Sequence, residues 1–439
     1  MKFCLPTLNE VNGQKPREIA ARVLARRRIG EEFTETLLDD ALAHARLAPS
    51  DRGLCQELVF GVVRWQATLD WLIARKTQGR TQKNALQDLL RLGLYQIFWL
   101  DRIPDHAAVH ETVEMAKHSG FGPQAGFVNA ILRGYLRETN ETRQSLTDLK
   151  RTEPALGWSH PEWLVGRWQN QFGETVTQQL LEWNNTPPKT FARVNTLRTE
   201  AGNLVEKWRE ENVDYDFVTR DWTGENLVFE LKSHPPLTTL ESFRQGWFYI
   251  QDPSTVLAVT ELAPQPGEAI LDLCAAPGGK TTLIAQLMNN QGRIVAHDIA
   301  PDRLKLIQEN CTRLGVTCVE SVSSLDFRPS TFDRILVDAP CSNTGVLRRR
   351  VDLRWRIQPA EVERLRATQL GLLRNAAKQL KSGGVLVYST CSLEPKENAD
   401  VLKEFLSAEA GFRLERTREL HPAAAGVDGA FIARLTRLL

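Results

Sequence analysis

The sequence predicts a multi-domain protein with an all-α domain over 1–145, a small α+β connector over 146–240 and an α/β domain over 241–439. Apolar residues recur at helical spacing through the first 140 residues or so. The middle of the chain has short alternating runs, and after about residue 243 short β-rich runs alternate with helical stretches. A chain of 439 residues has room for two or three such domains.

Composition limits the class of protein. With 42% hydrophobic and 25% charged residues the chain has the profile of an ordinary globular protein. No apolar run approaches the roughly 18 residues that span a bilayer, and the N-terminus lacks the apolar core of a secretion signal. We therefore expect a cytoplasmic protein with no membrane contact. The net charge of +1 means that any nucleic acid must bind to local basic patches.

The seven cysteines are odd in number and form no C-x-x-C pair, so the sequence predicts reduced thiols and no metal site. In the N-terminal domain, apolar stripes predict helices that pack on one face. These stripes are Leu54, Leu58 and Val62; Leu86, Leu90 and Leu94; and Val128, Ile131, Leu132 and Tyr135. His106, His110 and His118 lie on apolar helical stretches, and we interpret them as structural histidines. The polar segment 139–150 predicts the first domain boundary.

Four runs predict the buried parallel strands of a doubly wound sheet: AILDLC (269–274), RIVAHDI (293–299), DRILVDAP (333–340) and GGVLVYST (383–390). FRLERT (412–417) and FIARLTRL (431–438) predict a hairpin that completes the domain.

The Gly-rich turn in LDLCAAPGGKTTLIAQL (271–287) follows the first of these strands and begins a helix. Gly279, Lys280 and Thr281 match half of a phosphate-binding loop, but the first glycine of that motif falls at Cys274. Asp298 follows the next strand, where a carboxylate can accept hydrogen bonds from ribose hydroxyls. The pattern favours adenosine without a polyphosphate, as in S-adenosylmethionine, over a Gly turn that only closes a β-α unit.

Two cysteines follow predicted strands, in DAPCSNTGV (338–346) and YSTCSLEPKEN (388–398). Since the carboxyl ends of parallel strands share one edge, we expect Asp338, Cys341 and Cys391 to meet near the adenosine site. A thiol beside a methyl donor suits methylation of cytosine at C5, which needs a nucleophile added at C6. An acid such as Asp338 would then assist at N3. These residues do not tell which thiol attacks.

LDLCAAPGGKTT, DAPCSNTGV, YSTCSLEPKEN and DGAFIARL together resemble the RNA cytosine-C5 methyltransferases of the RsmB (Sun/Fmu) type. REIAARVL, LCQELVFGVVRW, LRLGLYQI, PDHAAVHETVEMAK and FVNAILRGYLR are similar to the NusB-like domain of that group, so the resemblance covers nearly the whole chain. It implies a Rossmann-like catalytic domain, with Cys391 as the nucleophile and Cys341 assisting product release. The implied cofactor contacts are Cys274, Ala275, Ala276, Pro277, Gly278, Gly279, Lys280, Asp298, Arg303 and Asp338.

The sequence departs from the family pattern at three places. Asn343 stands where small residues are common, and Ala430 stands where an aromatic residue is usual. The acidic residue that approaches adenine is replaced by Ser323, although Asp326 lies three residues further on.

Basic residues indicate where RNA would bind. Arg348, Arg349, Arg350, Arg354 and Arg356 surround Trp355 just after the DAPCS turn, and Arg22, Arg26, Arg27 and Arg28 cluster on the first helix. A solvated arginine-rich helix face is the alternative for both clusters.

The sequence thus predicts a monomeric enzyme that makes 5-methylcytosine in small-subunit ribosomal RNA, at an unstacked base. The alternatives are the same chemistry on transfer RNA or another ribosomal cytosine, a P-loop nucleotidase, or a non-catalytic RNA-binding or antitermination module.

Overall fold

The computed structural model describes residues 15–324 and 329–439, and the chain divides into two compact units between Asn185 and Thr186. Cys4 and Asp326 lie outside the described residues. Within those residues, no helix combines the length and apolar character needed to cross a membrane.

The first unit is helical, as predicted. Its α-helices are α1 (Pro16–Ile29), α2 (Thr34–Ala43), α3 (Pro49–Arg64), α4 (Gln66–Thr77), α5 (Asn84–Trp99), α6 (Asp105–Ala116), α7 (Ala125–Arg137), α8 (Thr139–Thr152), α9 (Pro154–Gly157), α10 (Glu162–Phe172) and α11 (Glu174–Asn184). The predicted stripes form its core, and Leu58, Leu90, Leu94, Val128 and Leu132 are completely buried. Burial of these side chains stabilises the unit by about 1.5–3 kcal/mol for each large one.

One local prediction in this unit needs correction. His106, His110 and His118 are exposed, so they are surface residues and not structural histidines of the core. The polar segment 139–150 lies in helix α8, where its polar face meets solvent, and the domain boundary expected there stays a prediction.

The second unit begins with an antiparallel sheet in the order β2-β3-β1-β4. Its strands are β1 (Thr190–Val194), β2 (Asp214–Val218), β3 (Val228–Ser233) and β4 (Phe248–Ile250). Helix α12 (Ala201–Glu210) places Trp208 against Phe229 and Phe248, and this cluster is buried. The expected α+β connector is confirmed, although β4 lies beyond the predicted boundary at 240.

The main sheet has the order β10-β11-β9-β8-β5-β6-β7. Its strands are β5 (Ala269–Leu273), β6 (Arg293–His297), β7 (Val319–Val322), β8 (Phe332–Asp338), β9 (Leu380–Thr390), β10 (Phe412–Leu420) and β11 (Ala430–Arg437). Strands β5 to β9 are parallel, and β11 pairs antiparallel with both β9 and β10. The four predicted parallel strands and the hairpin are confirmed, whereas β7 was not predicted.

Helices cover both faces of the main sheet, as the predicted alternation requires. The remaining helices of this unit are α13 (Glu241–Arg244), α14 (Pro253–Leu262), α15 (Gly279–Leu287), α16 (Pro301–Leu314), α17 (Leu353–Arg356), α18 (Pro359–Gln379), α19 (Ala399–Ala408) and α20 (Pro422–Ala425). The architecture is a Rossmann-like α/β domain.

Buried polar contacts join the small sheet to this domain. The Asn195 amide donates to the carbonyls of Gly246 and Leu314, at 2.8 Å each. The Arg313 guanidinium donates to the Phe248 carbonyl at 3.1 Å. Arg193, which is 1% exposed, donates to Thr282 on the first turn of α15 at 3.0 Å. The small sheet and the α/β domain therefore form one packed unit.

Candidate active site

Strands β5, β6, β8 and β9 end at one edge of the main sheet. Leu273, at the end of β5, is paired with His297 of β6 and Val337 of β8. Asp338 of β8 is paired with Ser389 of β9. The residues that follow these strands therefore come together, as the rule for open parallel sheets predicts.

The two predicted cysteines lie side by side at this edge. The Sγ atoms of Cys341 and Cys391 are 3.3 Å apart. Cys341 is buried, at 8% exposure, whereas Cys391 is partly exposed. The hydrogen bond between Cys341 and Cys391 and the burial of Cys341 raise the pKa of the Cys341 thiol well above its usual range. Cys341 is therefore a neutral thiol, and Cys391 is the sulfur that solvent reaches more readily.

Asn343, one of the departures from the family pattern, contacts both cysteine turns, which are the turns that carry Cys341 (after β8) and Cys391 (after β9). Its Nδ2 donates to the Cys341 carbonyl at 2.7 Å, and its Oδ1 accepts from the Cys391 thiol at 3.0 Å. The backbone of Asn343 is left-handed, with φ 58°, a conformation that asparagine and glycine tolerate best. The side chain thus covers part of Cys391 in this structure.

Asp338 and Lys280 form an ion pair beside the thiols. Lys280 Nζ lies 2.6 Å from Asp338 Oδ2, with the two side chains 15% and 31% exposed. Burial of Lys280 works to lower its pKa, but the Asp338 carboxylate outweighs this effect and the pKa is raised. Lys280 is therefore a fixed cation joined to the last residue of β8, and in this structure its ammonium does not face an open phosphate loop.

The Gly-rich turn links β5 to α15 and contains two residues with positive φ. Cys274 has φ 59° and Gly278 has φ 99°. Burial and the surrounding carboxylates raise the pKa of Cys274 to about 12, so this thiol is protonated at neutral pH. Gly278 caps α15, and the N-terminus of this helix offers N–H donors and a positive dipole end to a ligand.

Asp298 follows β6 and is 2% exposed. Its carboxylate accepts from the backbone N–H groups of Ala276, at 3.3 Å, and Ala300, at 3.2 Å. Arg303 donates to the Ala276 carbonyl at 2.8 Å and lies 3.4 Å from Asp298. The acid is thus oriented by the Gly-rich turn, at the position where a ribose would be bound.

Ser323, the predicted adenine contact, follows β7 directly and is exposed. Val322 pairs with His297, and the Asp298 N–H donates to the Val322 carbonyl at 3.2 Å. Ser323 therefore lies at the same edge as Asp298. The alternative residue, Asp326, is outside the described part of the chain.

The residues present fit S-adenosylmethionine. The Gly-rich turn lacks two features of a phosphate-binding loop. Pro277 contributes no backbone N–H, and the Lys280 ammonium is paired with Asp338. A sulfonium compound with one ribose needs only a hydroxyl acceptor, which Asp298 provides, and donors from the start of α15 for a carboxylate. Asp272, completely buried on β5, supports the turn by accepting from Thr281 at 2.6 Å.

The arginine-rich segment is more buried than predicted. Arg348 is 2% exposed and Arg354 is completely buried, so neither guanidinium can reach a phosphate in this structure. Arg349 donates to Asp428 at 2.5 Å and to Asp252 at 2.8 Å. The predicted phosphate contacts are wrong for Arg348 and Arg354 in this conformation, because these side chains belong to the interior.

Other predicted RNA contacts remain at the surface. Arg350 is exposed, Trp355 is partly exposed, and Arg356 lies 3.8 Å from Asp352. On α1, Arg22 and Arg26 are exposed, and Arg26 pairs with Asp40 at 2.8 Å.

Sequence reasoning missed Glu397, which is completely buried and accepts hydrogen bonds from both cysteine turns. The signal was present in YSTCSLEPKEN, where a carboxylate follows the cysteine by six residues in a short, otherwise polar turn. A charged residue in such a turn is usually solvated, and nothing in the sequence indicated that this one is enclosed.

The Rossmann-like sheet, with a Gly-rich first turn and an acid after the second strand, is an adenosine-binding arrangement, and its fit to S-adenosylmethionine indicates a methyltransferase that depends on this cofactor. Family models agree with this class. Residues 259–436 match the 16S rRNA methyltransferase RsmB/F family, residues 14–137 match the NusB family, and residues 160–222 match the ferredoxin-like domain of the RsmF/B-like methyltransferases.

Similar proteins extend the match to nearly the whole chain. The "Probable ribosomal RNA small subunit methyltransferase B" of Bacillus subtilis (strain 168) is 35% identical, over 96% of this chain and 98% of that protein. The "Ribosomal RNA small subunit methyltransferase B" of Escherichia coli O1:K1 is 36% identical, over 89% and 92%. A solved methyltransferase homolog from Pyrococcus horikoshii is 31% identical, with a TM-score of 0.57 over 65% of this chain and 97% of its own. The chain belongs to the RsmB/F family of 16S rRNA methyltransferases.

Proposed function

We propose that this methyltransferase modifies C5 of an unstacked cytosine in small-subunit ribosomal RNA, through a covalent bond between Cys391 and C6 of the base. The single observation that carries the proposal is the pair of thiols 3.3 Å apart, at the strand edge that also holds Asp338 and the Gly-rich turn. Methylation at a ring carbon is the reaction that needs a sulfur nucleophile beside a methyl donor. The names of the relatives support ribosomal RNA as the substrate.

The roles of the two thiols follow from their surroundings. Cys391 is the more accessible sulfur, and the family resemblance gives it the role of nucleophile. Its thiolate adds to C6, and the electron pair of the C5–C6 bond then becomes available at C5. A base removes the C5 proton, the C6–S bond breaks and Cys391 leaves as a thiolate; Cys341 is neutral and buried, so it can donate its proton to that leaving sulfur.

Asp338 and Lys280 are placed to hold the base. The Asp338 carboxylate can accept a hydrogen bond from the exocyclic amino group of cytosine. The Lys280 ammonium can donate a hydrogen bond to the electron-rich side of the ring as negative charge develops at N3. Bound S-adenosylmethionine supplies an electrophilic methyl group, which the start of α15 and Asp298 would direct toward C5. Cys391, Asp338 and the Gly-rich turn thus approach the base from one edge of the sheet.

The remaining parts of the proposal concern the RNA and the setting. We assign to RNA the side chains of Arg350, Trp355 and Arg356, which follow the Cys341 turn in the sequence, and those of Arg22 and Arg26 in the helical unit. The domain boundaries at 145 and 240, the monomeric state and the cytoplasmic location stay predictions.

The test uses ribosomal RNA from cells with and without the protein. Bisulfite sequencing should find one cytosine that is protected only when the wild-type chain is present. Cys391→Ala should remove the protection, whereas Cys341→Ala should leave a covalent protein–RNA adduct visible on a denaturing gel. Cys318→Ala, a cysteine of the same unit outside the site, is the matched control and should behave as wild type.

Three outcomes would contradict the proposal. An adduct formed by Cys391→Ala and not by Cys341→Ala would exchange the roles of the thiols. Protection of a cytosine in transfer RNA alone would change the substrate. Tight RNA binding without transfer of a labelled methyl group would indicate a non-catalytic RNA-binding module.

A further inference from the structure

Several contacts join the two cysteine turns: the Cys391 thiol donates to Asn343, the Gly345 N–H donates to the Cys391 carbonyl at 2.9 Å, and a buried carboxylate contacts both turns. Glu397 lies in a 3-10 turn, Pro395–Glu397, and is completely buried. Its Oε1 accepts from the Ser342 N–H at 2.8 Å and from Gln369 Nε2 at 3.0 Å. Its Oε2 accepts from the hydroxyls of Ser342 and Ser392. The carboxylate therefore receives four hydrogen bonds, the full capacity of its two oxygens.

The two serines are the immediate neighbours of the two thiols. Ser342 follows Cys341, and Ser392 follows Cys391. Their hydroxyls are 3.0 Å apart and point to the same carboxylate oxygen. Each turn is held by a separate donor, so Glu397 acts as the common anchor of two segments that are 50 residues apart in the chain.

The anchor is itself fixed from several sides. Gln369, on α18, also donates to the Pro340 carbonyl at 2.9 Å, and Tyr388, on β9, donates to the Glu397 carbonyl at 2.6 Å. The next residue, Asn398, donates to the Ser392 carbonyl at 2.8 Å. A buried carboxylate whose acceptor sites are all used favours one arrangement of the groups that donate to it.

We propose that Glu397 is a positioning residue that sets the spacing between the Cys341 and Cys391 sulfurs. This inference rests on the proposed use of both thiols in one reaction. It follows from the contacts, because the Glu397 carboxylate holds the residue next to each sulfur, and its loss leaves the contacts of Asn343 and Gly345 with Cys391 to hold the two turns together. A shift of about 1 Å in one sulfur reduces a positioned reaction by about a hundredfold.

The spacing can be measured without any methyl transfer. A trivalent arsenical, phenylarsine oxide, reacts with two neighbouring thiols to form a cyclic dithioarsenite and one water, and it binds single thiols only weakly. Wild-type full-length protein should form this adduct between Cys341 and Cys391, as assigned by peptide mass spectrometry. Cys341→Ala sets the background from the other cysteines.

Glu397→Ala should lose the cyclic adduct, while single-thiol alkylation of Cys391 by iodoacetamide stays within about threefold of wild type. Glu397→Gln should recover part of the adduct, because the amide keeps one acceptor and the serine hydroxyls can rotate to accept from its NH2 group. Glu404→Ala, on the exposed face of α19, removes a glutamate of the same unit and is the matched control with a wild-type adduct.

Ser392→Ala offers a milder version of the test, because it removes one donor and leaves the carboxylate in place. It should weaken arsenical binding several-fold in a protein with an unchanged circular dichroism spectrum. Glu397→Ala with a wild-type yield of cyclic adduct would overturn the inference. A wild-type protein that forms the adduct but makes no 5-methylcytosine would instead refute the proposed function and leave the role of Glu397 intact.

Discussion

The ion pair between Lys280 and Asp338 allows a quantitative test of the site. The two side chains are 15% and 31% exposed, and Nζ lies 2.6 Å from Oδ2. A hydrogen bond between charged groups contributes about 1.5–3 kcal/mol to stability when water is partly excluded. We therefore expect Lys280→Met and Asp338→Asn to show a coupling energy of about 2 kcal/mol in a double-mutant cycle.

The assay is urea unfolding of the four proteins at neutral pH, followed by tryptophan fluorescence. The matched control is the pair Lys305 and Asp302, which are 3.4 Å apart but 69% and 95% exposed. Exposed pairs of this kind contribute less than about 1 kcal/mol, and salt screens them. The coupling of Lys280 with Asp338 should persist at high salt, and that of the control pair should not.

A coupling energy as small as that of the control pair would refute this reasoning. It would mean that water reaches the Lys280 ammonium as freely as it reaches a surface lysine. The site would then lack the fixed cation on which the proposed recognition of the base depends.

Three further predictions concern folding. Gly345→Ala should lower the free energy of unfolding by about 1–3 kcal/mol in a thermal melt, because a Cβ there would lie 2.7 Å from the Cys391 carbonyl and 2.8 Å from Gly429 Cα; an unchanged midpoint would contradict it. Burial raises the pKa of Asp272 from 3.8 to about 7, so its contribution to stability is full below about pH 4 and is lost as the pH rises through 7. Urea unfolding at about pH 5 and about pH 8 should show a larger loss of stability with rising pH in wild type than in Asp272→Asn, in which other buried acids such as Asp428 still titrate. Trp208→Ala should cost about 3–5 kcal/mol in urea unfolding, and a loss below about 1 kcal/mol would show that the small sheet tolerates the cavity.

The sequence was most informative where one physical pattern dominates. Continuous apolar runs such as AILDLC and GGVLVYST have few ways to be buried except as central parallel strands, and both form such strands. The meeting of Cys341 and Cys391 followed from the same reasoning, because both residues lie in the turns that follow two neighbouring strands.

Prediction failed where the outcome depends on tertiary contacts. Strand β7 has the short sequence VESV, in which polar residues interrupt the valines, and it lies at the edge of the sheet. Its pattern of apolar residues is therefore too weak to predict a strand. Arg348 and Arg354 are buried, and Arg348 lies 3.9 Å from Asp428, which is distant in the chain. An arginine cluster in a sequence looks the same whether it faces solvent or the interior. Glu397 belongs to this second group.

The order of strands in the main sheet has a consequence for biosynthesis. Strand β11 is translated after all the others described, yet it occupies an inner position between β9 and β10. The Gly429 N–H, just before β11, donates to the Gly345 carbonyl beside the thiols. A nascent chain still attached to the ribosome at residue 420 therefore lacks both an inner strand of the sheet and a backbone contact to the turn that carries Cys341. The candidate site is complete only after synthesis has passed β11.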